Sequence, residues 1–123
     1  MDEAELERLP EGGTLLYCTG AAKLWHDTLA FVSQYPGLDE AASCWILDSG
    51  VVNVLTDAVS TDNPADLTYP NHQVPAEYSL NHTEVVNNVE VIPMHQGFSV
   101  LLVPLRLVGC TGSPVRIFAL WEA

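Results

Sequence analysis

Two kinds of side chain that hold metal ions or move protons recur along this chain. They are histidine, at His26, His72, His82 and His95, and acid, at Asp57, Asp62 and Glu84 among others. Neutral imidazole nitrogens and carboxylate oxygens are the donors a borderline divalent cation takes, and such a cation acidifies water and polarises a carbonyl. His72 and Glu84 stand at the two ends of a segment that follows a polar loop. Their spacing is too long for one helical face, so only the fold can bring them together. As lone polar residues they also have an ordinary reading as solvated groups. Asp57, Ser60 and Asp62 lie in the loop itself, where short polar side chains cap helices or close Asx turns as readily as they serve a site. His26 sits in an apparent helix and reads as a surface or packing residue.

The elements that must position these groups follow from pattern and punctuation. Residues 1–13 form a short acidic lead-in that ends at Gly12-Gly13. Residues 14–18 (TLLYC) are apolar and β-prone, which suits a short buried strand closed by Thr19-Gly20. Over residues 21–34, Ala22, Trp25, Leu29 and Val32 recur every three or four positions, which predicts a helix stopped by Pro36-Gly37. Asp39 is placed to cap a second helix that runs to Gly50. Residues 51–56 (VVNVLT) read as a buried strand, and strand, helix, helix, strand is a crossover, so a parallel or mixed sheet follows.

Residues 57–71 are a loop rich in Asp, Asn, Ser, Thr and Pro, long enough inside a compact domain to suggest a function. A short segment at 72–80 and an apolar stretch at 85–92 come next. Two strands, 98–107 and 115–121, are separated by a turn-prone Gly-Cys-Thr-Gly-Ser-Pro run. The fold class expected is mixed α/β with a substantial sheet, two to three helices, and one domain over 1–123.

Composition narrows the partners. The formal net charge is −12, with 16 acidic residues against 4 basic ones. Nucleic acid and anionic membrane surfaces are excluded as partners, because binding either depends on Lys and Arg. Three cysteines without close spacing make neither a disulfide framework nor a zinc knuckle. Cys18 and Cys44 lie in apolar sequence and are expected to be buried. No targeting segment is visible, so the expected compartment is cytoplasmic.

A set of short motifs gives these observations an order. Asp57, Ser60 and Asp62 in Thr-Asp-Ala-Val-Ser-Thr-Asp match a Gly-Ile-Asp-Thr-x-Ser-x-Asp segment, although the leading residues here are Val54-Leu55-Thr56. Asn71-His72, then Glu84 with Asn87-Asn88 just beyond, is similar to a His-x(11)-Glu-Asn-Leu pattern. Tyr35-Pro36-Gly37-Leu38, Ile92-Pro93, Gly97-Phe98, Val103-Pro104-Leu105 and Gly112-Ser113-Pro114-Val115-Arg116 supply further matches in the same sequence order. Across roughly residues 12–120 the chain resembles the cyclase family of metal-dependent hydrolases, which includes kynurenine formamidase and isatin hydrolase.

That resemblance implies a swivelling β/β/α fold, partial here, that binds zinc or manganese and hydrolyses amide, formamide or cyclic amide bonds. By the same resemblance His72 and Glu84 bind metal. Asp57, Ser60 and Asp62 serve the catalytic site as ligand-orienting or substrate-gating residues.

The family's His-x-Gly-Thr-His-x-Asp-x-Pro-x-His motif, which supplies most of the ligands, has no counterpart here. The chain is therefore expected to correspond to the family's C-terminal half. Three readings follow from this. A partner chain carrying the missing histidines completes the site; or the scaffold survives as an inactive binding or interaction module; or a new site is built from His72, Glu84 and His82, with His95 of a neighbouring copy. Apolar strands without their usual neighbours would leave edges and a face uncovered, so an obligate oligomer, with a partner or with itself, is expected.

Overall fold

The computed structural model describes Leu9, residues 11–73 and residues 80–122. Most of the 1–13 lead-in and residues 74–79 of the expected 72–80 segment lie outside the described residues. The chain divides into two compact units, one ending at Val89 and the other starting at Glu90.

The first unit is built on three short parallel strands. They are β1 (Thr14–Tyr17), β2 (Asn53–Thr56) and β3 (Asn81–Thr83), with β2 in the centre. The registers pair Leu15 with Val54 and Val54 with His82, so these three residues share one face of the sheet. The predicted crossover joins β1 to β2. Its second helix, α2 (Glu40–Asp48), starts where the Asp39 carboxylate accepts the Ala42 N–H at 2.8 Å. It stops at Gly50, whose φ of 77° is the left-handed conformation that favours glycine, and whose N–H donates to the Leu47 carbonyl. The helix turns Ser43 and Ile46 inward, and Ile46 packs with Val51 and Val54 against Leu15, Leu38 and Leu80.

The helix expected over 21–34 is broken in two. A 3-10 turn spans Ala21–Leu24, and α1 covers only Thr28–Ser33. The cause is Asp27, whose side chain accepts the Ala30 N–H at 3.1 Å and so starts a new helix rather than continuing the old one. The restart rotates the buried face. Ala30, Phe31 and Tyr35 are inside, Phe31 and Tyr35 packing with Ala21 and Ala58, while Trp25, Leu29 and Val32 are exposed. His26 falls in the exposed turn between the two pieces.

Other expectations also shift. Cys18 and Cys44 are exposed rather than buried. Cys44 is one residue beyond Ser43 on α2, a rotation of about 100° off the inward stripe. The third strand is the polar Asn81–Thr83, which the sequence pattern does not single out, and it ends just before the apolar stretch 85–92. Val85 and Asn88 adopt φ of 57° and 59°, which ends the extended run, and a 3-10 turn follows at Val89–Val91.

The second unit is an antiparallel hairpin of β4 (Ser99–Pro104) and β5 (Val115–Leu120), shorter than the predicted strands but in the expected places. Alternation leaves Leu101, Val103, Phe118 and Leu120 exposed. The Arg116 guanidinium lies 5.7 Å from the Phe118 ring centroid, a cation–π contact. Trp25, Trp45 and Trp121 all lie at the surface of the chain. Among the described residues no helix is long and apolar enough to cross a membrane.

Candidate metal centre

The loop after β2 folds back on itself, and each acid in it takes a different position. Asp57 is buried directly beyond β2. One oxygen accepts the Thr19 N–H at 2.6 Å and the Thr19 hydroxyl at 2.9 Å. The other accepts Gly20 N–H at 3.0 Å and Ala22 N–H at 3.2 Å. Burial alone would push this carboxyl up, but the hydrogen bonds from Thr19, Ala22 and Gly20 outweigh it and hold it below the usual carboxylate range. Asp57 thus ties the end of β1 and the first 3-10 turn to the end of β2.

Ser60 supports the next turn: its hydroxyl accepts the Asp62 N–H at 3.1 Å. Asp62 is 1% exposed. Its Oδ1 accepts the Asn71 N–H at 2.6 Å, and its Oδ2 lies 2.5 Å from Nδ1 of His72. Asn71 is itself fixed, donating its side-chain N–H to the Leu38 carbonyl at 2.6 Å and accepting a short hydrogen bond from the Ser43 hydroxyl. The segment holding Asp62 is pressed against Gly37 and Leu38, with the Leu38 N–H donating to the Thr61 carbonyl at 2.8 Å. A Cβ on Gly37 would stand 2.0 Å from the Asn63 nitrogen, so this approach requires glycine.

The two ends of the twelve-residue spacing meet at this point. Nε2 of His72 stands 3.9 Å from Oε1 of Glu84, and the same oxygen accepts the Thr61 N–H at 3.1 Å. Glu84 follows β3 directly. It is locked in place by Val85 and Val86, whose N–H groups donate to the Ala58 and Thr56 carbonyls at 2.8 and 2.9 Å. A β-branched residue at φ 57° is strained, and the strain sits next to this carboxylate.

His82 joins the pair. Its ring centroid is 4.5 Å from that of His72 with the planes at 68°, and potential ligand atoms of His72, His82 and Glu84 all lie within 4.8 Å of one another. Burial holds the His82 imidazole below the ordinary histidine value, against the pull of Glu84. Burial, reinforced by the carboxylates of Glu84, Asp57 and Asp62, pushes the Tyr17 hydroxyl up to about 12, so it keeps its proton at neutral pH.

Ligand atoms of a tetrahedral zinc centre stand about 3.4 Å apart, given metal–donor bonds near 2.0–2.1 Å. Two imidazoles and a carboxylate clustered within 4.8 Å therefore fit such an ion after small side-chain rotations. Of the residues singled out by sequence, the structure brings together His72, Glu84 and Asp62, with Ser60 behind Asp62 and Asp57 engaged at the β1 end. His26 is in the exposed turn, and His95 belongs to the second unit. His82, which the sequence places only in the rebuilt-site reading, stands with His72 and Glu84. The signal for it lies in His82-x-Glu84, because a spacing of two along an extended segment puts both side chains on one side.

A family model described as "Putative cyclase" matches residues 2–63, half of the chain. No curated protein sequence matches it. Among solved structures, the chain is similar to an isatin hydrolase bound to the product analogue thioisatinate. That match has a TM-score of 0.84 and 23% identity over 98% of this chain and 50% of the other. It is also similar to a potential metal-dependent hydrolase with cyclase activity, with a TM-score of 0.74 and 23% identity over 96% of this chain and 54% of the other. The chain thus spans about half the length of these structures, and the likeness is one of fold. By the family model and the shared fold, this chain belongs to the cyclase family.

Proposed function

We propose that the chain contributes part of the metal centre of a hydrolase that cleaves amide, formamide or cyclic amide C–N bonds, with His72 and Glu84 as ligands. The observation that carries this reading is the convergence of His72 Nε2 and Glu84 Oε1 at 3.9 Å, with His72 held from behind by Asp62. A bound zinc or manganese ion would supply acidified water and polarise the carbonyl under attack.

The chain's own residues prepare that chemistry. A buried carboxylate against Nδ1 keeps the proton on that nitrogen, which leaves the Nε2 lone pair directed at the site. The Thr61 N–H orients Glu84 in the same way, by occupying one lobe of Oε1. Ser60 holds the Asp62 backbone, and Asp57 holds the strand ends that carry the loop.

The substrate reading, a small-molecule amide, is supported by the family and by the isatin hydrolase among the structures that share the fold. Completion of the site by a partner chain or by self-association is supported by the half-length match and by the apolar hairpin face of Leu101, Val103, Phe118 and Leu120.

The test is hydrolysis of formyl-anilide and isatin-type substrates by protein isolated with its native assembly intact. Activity is expected to be lost on chelation, restored by zinc or manganese, and reduced at least about 100-fold in His72→Ala and Glu84→Ala. Turnover that is indifferent to chelator and to both substitutions would overturn the assignment.

A further inference from the structure

We propose that His82 is a third protein ligand, so that His72, His82 and Glu84 form a two-histidine, one-carboxylate site for a zinc-class divalent cation within this single chain. This rests on the reading of His72 and Glu84 as ligands and adds to it a residue the recognised motifs do not include.

Geometry comes first. The potential ligand atoms of all three residues lie within 4.8 Å of one another. Two of the three come from one rigid stretch. His82 sits in β3, in register with Val54 of the central strand, and Glu84 follows two residues later, just past the strand end, with its carboxylate near both imidazoles. The third, His72, is held from behind by Asp62. Backbone pairing and a buried carboxylate thus set the donors before any ion arrives, which lowers the ordering cost of binding one.

The state of His82 comes second. Its Nδ1 is buried and has no hydrogen-bond partner among the described residues. A buried polar atom in that condition costs about 1–3 kcal/mol. Histidines kept for packing ordinarily have such atoms paired. This ring instead meets the His72 ring edge-on with centroids 4.5 Å apart, an arrangement two imidazoles take when they converge on a common point.

Charge comes third. The carboxylates of Asp62 and Glu84 flank the two histidines, so a dication would balance both acids. Two nitrogen donors argue against calcium or magnesium, which take oxygen, and for zinc, cobalt or a similar ion. Three protein ligands with a position left open is the arrangement of catalytic rather than structural zinc.

The experiment is a cobalt(II) titration of the full chain, read by visible absorption, for the wild type and for His82→Ala, His72→Ala and His95→Ala. Circular dichroism checks that each is folded. The wild type and His95→Ala are expected to bind about one ion per chain, while His82→Ala binds about 100-fold more weakly and with an altered spectrum. Imidazole nitrogen resonances of the wild type, followed during a zinc titration, give a reading that does not depend on any variant folding; the His82 ring nitrogen is expected to shift with His72. If His82→Ala binds as the wild type does while His72→Ala does not, or if the His82 resonances stay still while those of His72 move, this inference fails and the reading of His72 and Glu84 stands. If the wild type binds no ion, both fail.

Discussion

The Asp62 carboxylate lies 2.5 Å from Nδ1 of His72, and its other oxygen accepts the Asn71 N–H, so one buried side chain fixes both the ring and the backbone that carries it. The carboxylate can only accept, which assigns the proton to the nitrogen. In Asp62→Asn the amide can turn its NH2 toward the ring and accept the Asn71 N–H with its oxygen. Nδ1 then becomes an acceptor, and the proton moves to Nε2. Metal affinity is expected to fall about 10–100-fold while the fold is retained. Isothermal titration with zinc alongside a thermal melt checks it; unchanged affinity would show that the tautomer is not set by Asp62.

Gly37 is required by the close approach of residues 36–38 to the Asp62 loop. Gly37→Ala would drive a methyl group into the Asn63 backbone and separate the two segments. The expected cost is about 3 kcal/mol or more. Gly112→Ala, where an added Cβ meets nothing within 4 Å, is the matched control and should be nearly neutral. Urea denaturation of both variants decides the point.

Asp57 carries the acid sensitivity of the first unit. Its folded carboxyl is held below its ordinary value of 3.8, so as pH falls the unfolded chain takes up this proton first. The stability it contributes is complete above that value and is lost as pH drops through and beneath it. Asp57→Asn should be destabilised at neutral pH by about 3 kcal/mol, since four donors lose a charged acceptor. It should also show a flatter decline in stability below pH 4 than the wild type does. Unfolding free energies measured across pH 2–7 would reveal both effects.

Ile46 anchors the cover of α2 on the sheet, packing on Val51 and Val54. Ile46→Ala is expected to cost about 3 kcal/mol. Because His82 stands beside Val54 on the same sheet face, metal affinity should weaken along with stability. A melt and a metal titration on the same sample test the coupling.

Much of this was legible in the sequence, for physical reasons. The caps were readable because Asp39 and Gly50 act locally, through one hydrogen bond and one backbone angle. The parallel crossover followed from the order of elements, and the hairpin from two apolar runs around a turn. The broken helix at Asp27 was hidden, since Asp inside an apolar period reads as a solvated position until its side chain is seen to cap Ala30. The strand at Asn81–Thr83 was hidden because it is polar and short; pairing with β2, not propensity, makes it a strand. The meeting of His72 with Glu84 depends on the fold of the intervening chain, and the motif resemblance rather than the spacing pointed to it. For His82 the sequence offers only a place in one of three alternative readings, because its position beside Glu84 follows from pairing of the short polar strand with β2.

The central claim is that the chain binds a divalent metal through His72 and Glu84. It is tested most directly by elemental analysis of the protein purified without added metal or chelator, with His72→Ala and Glu84→Ala in parallel. About one zinc or manganese ion per folded wild-type chain, and little or none in either variant, is the result predicted. Metal-free wild-type protein that also takes up none on dialysis against zinc or manganese would contradict it.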